Sequence, residues 1–393
     1  MLRVLYAALL AGCTTSMVAP DAGPSSGSDA AALAQDAASR PTDAGGPAPT
    51  DAAAPSPDAG AIDAGAPPPP RDLRCGDPAP DDAELPPPLP RYSGGACPTL
   101  APGDNELRSR GGLRRFTLVV PSDLAPGERA PLVVMWHHLG GSASSLYSHG
   151  QAQESADTLR FIAAIPEKKG DLEINLGFAR FDPAWPYLDT ASDARVEEEA
   201  VFFDDMIACI AEQYAIDESC ISTAGVSAGA LWSAQLMQQR AERLASVILL
   251  SGGIGPATTN GFVDVRRWRG TSHAMPVLLG WGGPRDQCGL DFQRASRNLG
   301  AALTSAGHFV QECVHNCGHA APPVDPDVGL PLLWRFALDH PYWLRDGESP
   351  YLAAGVPERT PSWCAIGAGT ASPRTEACEG DGFDGRSCTI GAL

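Results

Sequence analysis

The sequence predicts an α/β domain on a mostly parallel, doubly wound sheet, preceded by a long linker. Three observations carry that expectation. Between Tyr6 and Tyr92 there is no Phe, Trp or Tyr, and Ala, Pro, Asp, Gly and Ser fill the stretch. Beyond Arg91, short apolar runs alternate with longer segments of helical period over roughly 200 residues, the pattern of repeated strand–helix units. Most of those runs are continuously apolar, as strands covered on both faces must be.

The first thirteen residues read as an export signal: Arg3 gives the positive start, Val4 to Leu10 a short apolar core, and Leu10-Ala11-Gly12-Cys13 a small-residue cleavage site. The last four residues resemble a bacterial lipobox, which implies cleavage before Cys13, a diacylglyceryl group on that residue and anchorage to the cell envelope; the alternative is an ordinary cleaved signal peptide with a chance Cys and a secreted product. Residues 14–90 read as a disordered tether, because a segment without aromatics buries too little apolar surface to offset its ordering entropy. It carries a loose repeat, as in Asp43-Ala44-Gly45 and Asp63-Ala64-Gly65, with no apolar period.

Twelve acidic residues and three Arg lie between Thr14 and Pro90, so about half of the formal charge of −19 is linker. The remaining chain is still acidic, which excludes nucleic acid as an expected partner. Setting Cys13 aside leaves ten of the eleven cysteines, an even number suited to disulfides in an oxidising compartment. Sequence order suggests Cys75 with Cys97, Cys209 with Cys220, and pairs among Cys288, Cys313, Cys317, Cys364, Cys378 and Cys388, although connectivity does not follow from sequence.

Strands are expected at Phe116 to Val120, Pro131 to Trp136, Phe161 to Ile165, Cys220 to Ala224, Ser246 to Leu250 and Met275 to Gly280. Helices are expected at Glu197 to Tyr214, where Val201, Met206, Ile207, Ile210 and Ala211 share one face, and at Ala228 to Arg240 and Phe292 to Ala306. A catalytic domain over 91–345 and a Cys-containing tail over 346–393, packed on that domain, complete the chain.

The chemistry centres on Gly225-Val226-Ser227-Ala228-Gly229, between an apolar strand and a helix. A serine in such a tight strand-to-helix turn is held above the sheet as a nucleophile, with glycines two residues to either side to let strand and helix approach. A serine hydroxyl needs a base and the base an orienting carboxylate, in the chain order Ser, acid, His. Asp286 follows the apolar run ending at Gly280 and is the favoured acid; Asp291 is its competitor, with an alternative role as a charge at a helix start. His319, in a loop, is favoured over His273, His308 and His315. The oxyanion is expected to meet the N–H of Ala228 and another from the loop Trp136-His137-His138-Leu139-Gly140-Gly141-Ser142.

Taken together, this loop, the Asp204-Asp205 pair, the elbow, Gly283 with Asp286, and Cys317-Gly318-His319 resemble the secreted polyhydroxybutyrate depolymerase and feruloyl or acetylxylan esterase group, over roughly Arg114 to His319. The resemblance implies an α/β-hydrolase fold, a serine esterase without cofactor, a polysaccharide ester or polyester as substrate, and Leu139 as the second oxyanion donor. In that group the loop reads His-Gly-x-Gly-Gly; here His138 replaces the first Gly. Trp185, Trp232 and Trp281 fall near the site loops as stacking or core residues, and Asp204 and Asp205 read as structural charges. Rival readings are zinc at Cys313, His315, Cys317 and His319, a non-catalytic surface lipoprotein on the same scaffold, and a peptidase of the same fold.

Overall fold

A computed structural model describes residues 74–175, 180–259, 263–324, 331–344 and 346–378. The signal segment with Cys13 and the linker up to residue 73 lie outside the described residues, as does Cys388.

The chain runs β1 (Gly103–Ser109), β2 (Gly112–Val119), β3 (Ala130–Trp136), α1 (Ala143–His149), α2 (Ala152–Leu159), β4 (Ile162–Pro166), β5 (Ile174–Asn175) and β6 (Arg180–Phe181). It continues through α3 (Asp193–Gln213), β7 (Ile216–Val226), α4 (Ala228–Gln239), β8 (Ser246–Leu250), β9 (Val277–Trp281), α5 (Phe292–Ser305) and β10 (Val310–Val314). The described C-terminal elements are α6 (Pro331–Leu338), α7 (Pro350–Ala354) and β11 (Cys364–Ile366).

Nine strands form one sheet in the order β1-β2-β4-β3-β7-β8-β9-β10-β11. From β4 to β10 the neighbours are parallel; β1 and β2 at one edge and β11 at the other are antiparallel. This is the α/β-hydrolase arrangement, with the elbow leaving the central strand β7. Period-2 alternation divides the side chains of β3 between two cores. Leu132, Val134 and Trp136 face one that α3, α4 and α5 cover, whereas Val133 and Met135 face one shared with α1, α2, α6 and α7. Burial of each such large side chain contributes roughly 1.5–3 kcal/mol.

Strands β1, β5, β6, β10 and β11 have no counterpart among the expected strands. β1 reads Gly-Asp-Asn-Glu-Leu-Arg-Ser, with only its alternate residues buried, so it lacks a continuous apolar run.

Residues 74–90 depart from the expected tether. Cys75 is disulfide-bonded to Cys220, Arg74 pairs with Asp339 at 2.7 Å, and Arg243 donates to the carbonyls of Pro87 and Pro88. Covalent and polar ties thus hold a segment whose apolar content would not.

The disulfides also correct the order-based pairing: Cys97 joins Cys209 and Cys75 joins Cys220. Cys209 and Cys220 sit on different elements, α3 and β7, and face different neighbours, so closeness along the chain does not become closeness in space. Two more bridges, Cys313–Cys364 and Cys317–Cys378, fasten the segment after α7 to β10 and to the loop beyond it. The Asp pair on α3 is structural: Asp205 accepts from both the N–H and the hydroxyl of Ser93, and Asp204 accepts from Arg240.

Candidate active site

The elbow between β7 and α4 forces Ser227 to φ 54° and ψ −118°, a region that a side-chain-bearing residue occupies only under strain. Its glycines are steric necessities. A Cβ on Gly225 would lie 2.3 Å from the carbonyl carbon of Gly229, and one on Gly229 would lie 2.0 Å from the carbonyl oxygen of Trp136. The turn therefore presses against the end of β3, bringing Ser227 beside the loop that follows that strand.

Ser227 Oγ lies 2.8 Å from His319 Nε2, and His319 Nδ1 lies 2.6 Å from Asp286 Oδ1. Because Nδ1 faces a carboxylate it carries the proton, leaving the Nε2 lone pair to accept from the serine hydroxyl. Asp286 is fully buried, and its other oxygen accepts at 2.8 Å from both the Ser251 hydroxyl and the Gly282 N–H. Phe292 stacks on the His319 ring at 4.1 Å between centroids, which fixes the plane of the imidazole.

The acid and the base reach one another because their loops are joined. His315 N–H donates to Trp281 O, Gly318 N–H donates to Gly282 O, and Arg285 donates to Asn316 O. A Cβ on Gly282 would lie 1.8 Å from Gly318 O, so only glycine allows this contact. Cys317–Cys378, the Arg374 bond to Asn316 Oδ1 and the Asn316 Nδ2 bond to Glu376 O tie the same loop to the segment after β11.

The structure therefore brings Ser227, His319 and Asp286 into one hydrogen-bonded series and leaves the competitors out of it. Asp291 is the N-cap of α5 and accepts from Arg294 N–H. His308 is held by Met275 O and Thr271, and His273 stacks on Tyr342. His315 stands beside the site but is spent on its own loop, accepting from Cys317 N–H, and burial pushes it down to about 4. Together with Ser227, His319, Leu250, Ala320 and Pro322 it lines a cavity of about 10 Å³, room for about one water.

After β3, Gly141 N–H donates to His138 O and closes a turn with Leu139 and Gly140 at its centre; Gly140, at φ 77°, occupies the position that favours glycine. The N–H groups of Leu139 and Ala228 have no protein acceptor among the described residues. His137 is fully buried and donates from Nδ1 to His138 O at 2.8 Å; burial pushes it down to about 4. Trp185 buttresses the loop by donating to His137 O at 2.8 Å.

Several open alternatives are decided. Trp185 and Trp232 are core residues in contact with Trp136, and Trp281 packs beneath Arg297, so none presents a stacking face at the site. Cys313 and Cys317, candidates for zinc, are consumed in disulfides. Ser251 and Phe292 are site residues that sequence reading missed. Ser251, at the end of β8 with φ 53°, carries no motif, and Phe292 reads as an ordinary helix residue.

No family model and no curated protein sequence matches the chain. Solved structures do resemble it. A serine-to-cysteine variant of pOPH in complex with DMSO aligns with a TM-score of 0.57 at 15% identity, over 71% of this chain and 98% of that one. Native sOPH aligns at 0.54 and 20% identity, over 71% and 99%. A serine-to-alanine variant of pOPH in complex with pNPB aligns at 0.52 and 16%, over 71% and 98%. At these identities the likeness establishes the shared fold.

Proposed function

We propose that this chain is a serine esterase that hydrolyses carboxylic esters through an acyl-enzyme, with Ser227 as nucleophile, His319 as general base and acid, and Asp286 as the orienting carboxylate. The observation that carries the reading is the series Ser227 Oγ, His319 Nε2, His319 Nδ1, Asp286 Oδ1, whose two contacts are 2.8 and 2.6 Å. Ser227 Oγ attacks the ester carbonyl while its proton passes to His319 Nε2. The carbonyl oxygen becomes an oxyanion that accepts from the N–H groups of Leu139 and Ala228, free to donate to it. Collapse breaks the bond to the alkoxy group, which takes the proton from His319. Water then repeats the sequence on the acyl-enzyme, giving up its proton to the same nitrogen and releasing the acid and Ser227.

The substrate class is an ester side group on plant polysaccharide or a polyester, on the strength of the motif resemblance. We assign the enzyme to the cell envelope, tethered by lipid on Cys13. The Leu-Ala-Gly-Cys string and the four disulfides among the described residues support export.

The test is hydrolysis of p-nitrophenyl acetate and methyl ferulate by residues 71 onward with disulfides formed, for wild type and Ser227→Ala. The variant is expected to lose roughly three or more orders of magnitude in kcat. Equal rates in the two proteins would overturn the esterase reading.

A further inference from the structure

The loop after β3 carries two histidines in different circumstances. His137 is spent on the loop itself, through His138 O. His138 is only 7% exposed, yet among the described residues neither of its ring nitrogens has a hydrogen-bond partner, and neither is wholly closed off from solvent. Its ring lies within electrostatic reach of His319 and of His149 at the end of α1.

The loop is fitted to this ring. A Cβ on Gly141 would lie 2.8 Å from Cε1, 2.9 Å from Nδ1 and 3.1 Å from Nε2 of His138. Gly141 is not among the positive-φ residues, so its backbone does not demand glycine. The imidazole does. Of the two adjacent glycines, Gly140 serves the turn and Gly141 makes room for His138.

We propose that His138 is a substrate-contacting residue of this site, whose neutral imidazole donates a hydrogen bond to the ester carbonyl oxygen as it becomes an oxyanion. It would act as a third donor beside Leu139 and Ala228. The inference rests on the esterase reading. Neutrality is part of the function: a positive charge here would oppose the imidazolium that forms on His319. Burial holds the ring below its ordinary value, with repulsion from the other two histidines in the same direction.

The experiment compares wild type, Ser227→Ala, His138→Gly, His138→Asn and His138→Leu on p-nitrophenyl acetate, with melting temperatures and with added imidazole. Rates in imidazole are taken above those of Ser227→Ala under the same conditions, which removes uncatalysed turnover. Loss of one oxyanion donor predicts that His138→Gly and His138→Leu fall about 10²-fold in kcat, with KM little changed. His138→Asn, which keeps an N–H donor, should retain more of the rate than His138→Leu. Imidazole should restore His138→Gly in part and leave His138→Leu unmoved. Wild-type kcat in His138→Gly, or equal losses in the Asn and Leu variants with no imidazole rescue, would overturn the proposal. An active Ser227→Ala would instead sink the esterase reading beneath it.

Discussion

Asp286→Asn offers a sharp test of how the buried carboxylate acts, because nearly isosteric atoms are forced into one outcome. The two Asp286 oxygens face three donors: His319 Nδ1–H on one side, Gly282 N–H and the Ser251 hydroxyl on the other. An amide supplies one oxygen and one NH₂. The Gly282 N–H cannot turn away, and setting NH₂ against it would leave a buried donor without an acceptor at a cost of about 1–3 kcal/mol. The amide oxygen therefore stays with Gly282 and Ser251, and NH₂ faces His319. His319 must then accept at Nδ1 and carry its proton on Nε2, where it can no longer take the proton of Ser227. Loss of the correct tautomer predicts a fall of about 10⁴ in kcat, with the fold retained. The assay is steady-state hydrolysis of p-nitrophenyl acetate, beside proton NMR of the imidazole N–H whose signal reports the Nδ1–H···carboxylate bond. A variant holding more than a tenth of the wild-type rate would refute the claim that Asp286 sets the tautomer.

Other consequences follow from the same geometry. With Cys313–Cys364 intact, Cys317–Cys378 closes a loop of roughly 20 residues, worth about 3 kcal/mol by chain entropy; the Cys317→Ser/Cys378→Ser double variant should melt lower and lose several-fold in kcat because His319 lies two residues beyond the bridge. Unchanged kcat would show that the joined acid and base loops suffice. Burial pushes His340 down to about 3, and His137 and His315 down to about 4, from an ordinary 6.5, so the unfolded chain takes up protons first as pH falls. Their contribution to stability is complete above about 6.5 and lost on acidification toward 4, with a slope of about 1.4 kcal/mol per pH unit for each proton. Urea unfolding at pH 7.5 and 5.0 should show this loss, and His340→Phe should lessen it; equal stability at the two pH values would contradict the buried, neutral assignment.

Local signals in the sequence carried much of the site. Gly225 to Gly229 could be read from its own five residues and flanks, since the strain at Ser227 and the close approach of Gly229 to Trp136 are met within one strand-to-helix turn. The apolar runs that became β3, β4, β7, β8 and β9 were legible because strands buried on both faces tolerate few polar residues. β1 escaped notice because only its alternate residues are buried.

What the sequence by itself determined is the central parallel sheet, the elbow and a short roster of acids and bases, because each depends on neighbours within a few residues. The tertiary structure decided the rest. Asp286 and Asp291 are five residues apart and bear the same side chain, yet one accepts from His319 and the other caps α5. Residues 74–90 have a tether's composition and are nonetheless bound by Cys75–Cys220 and Arg74–Asp339, and Ser251 gained its place only when β8 ended beside Asp286. These contacts join residues distant along the chain, and such pairs are selected by the shape of the folded domain, which no local pattern encodes.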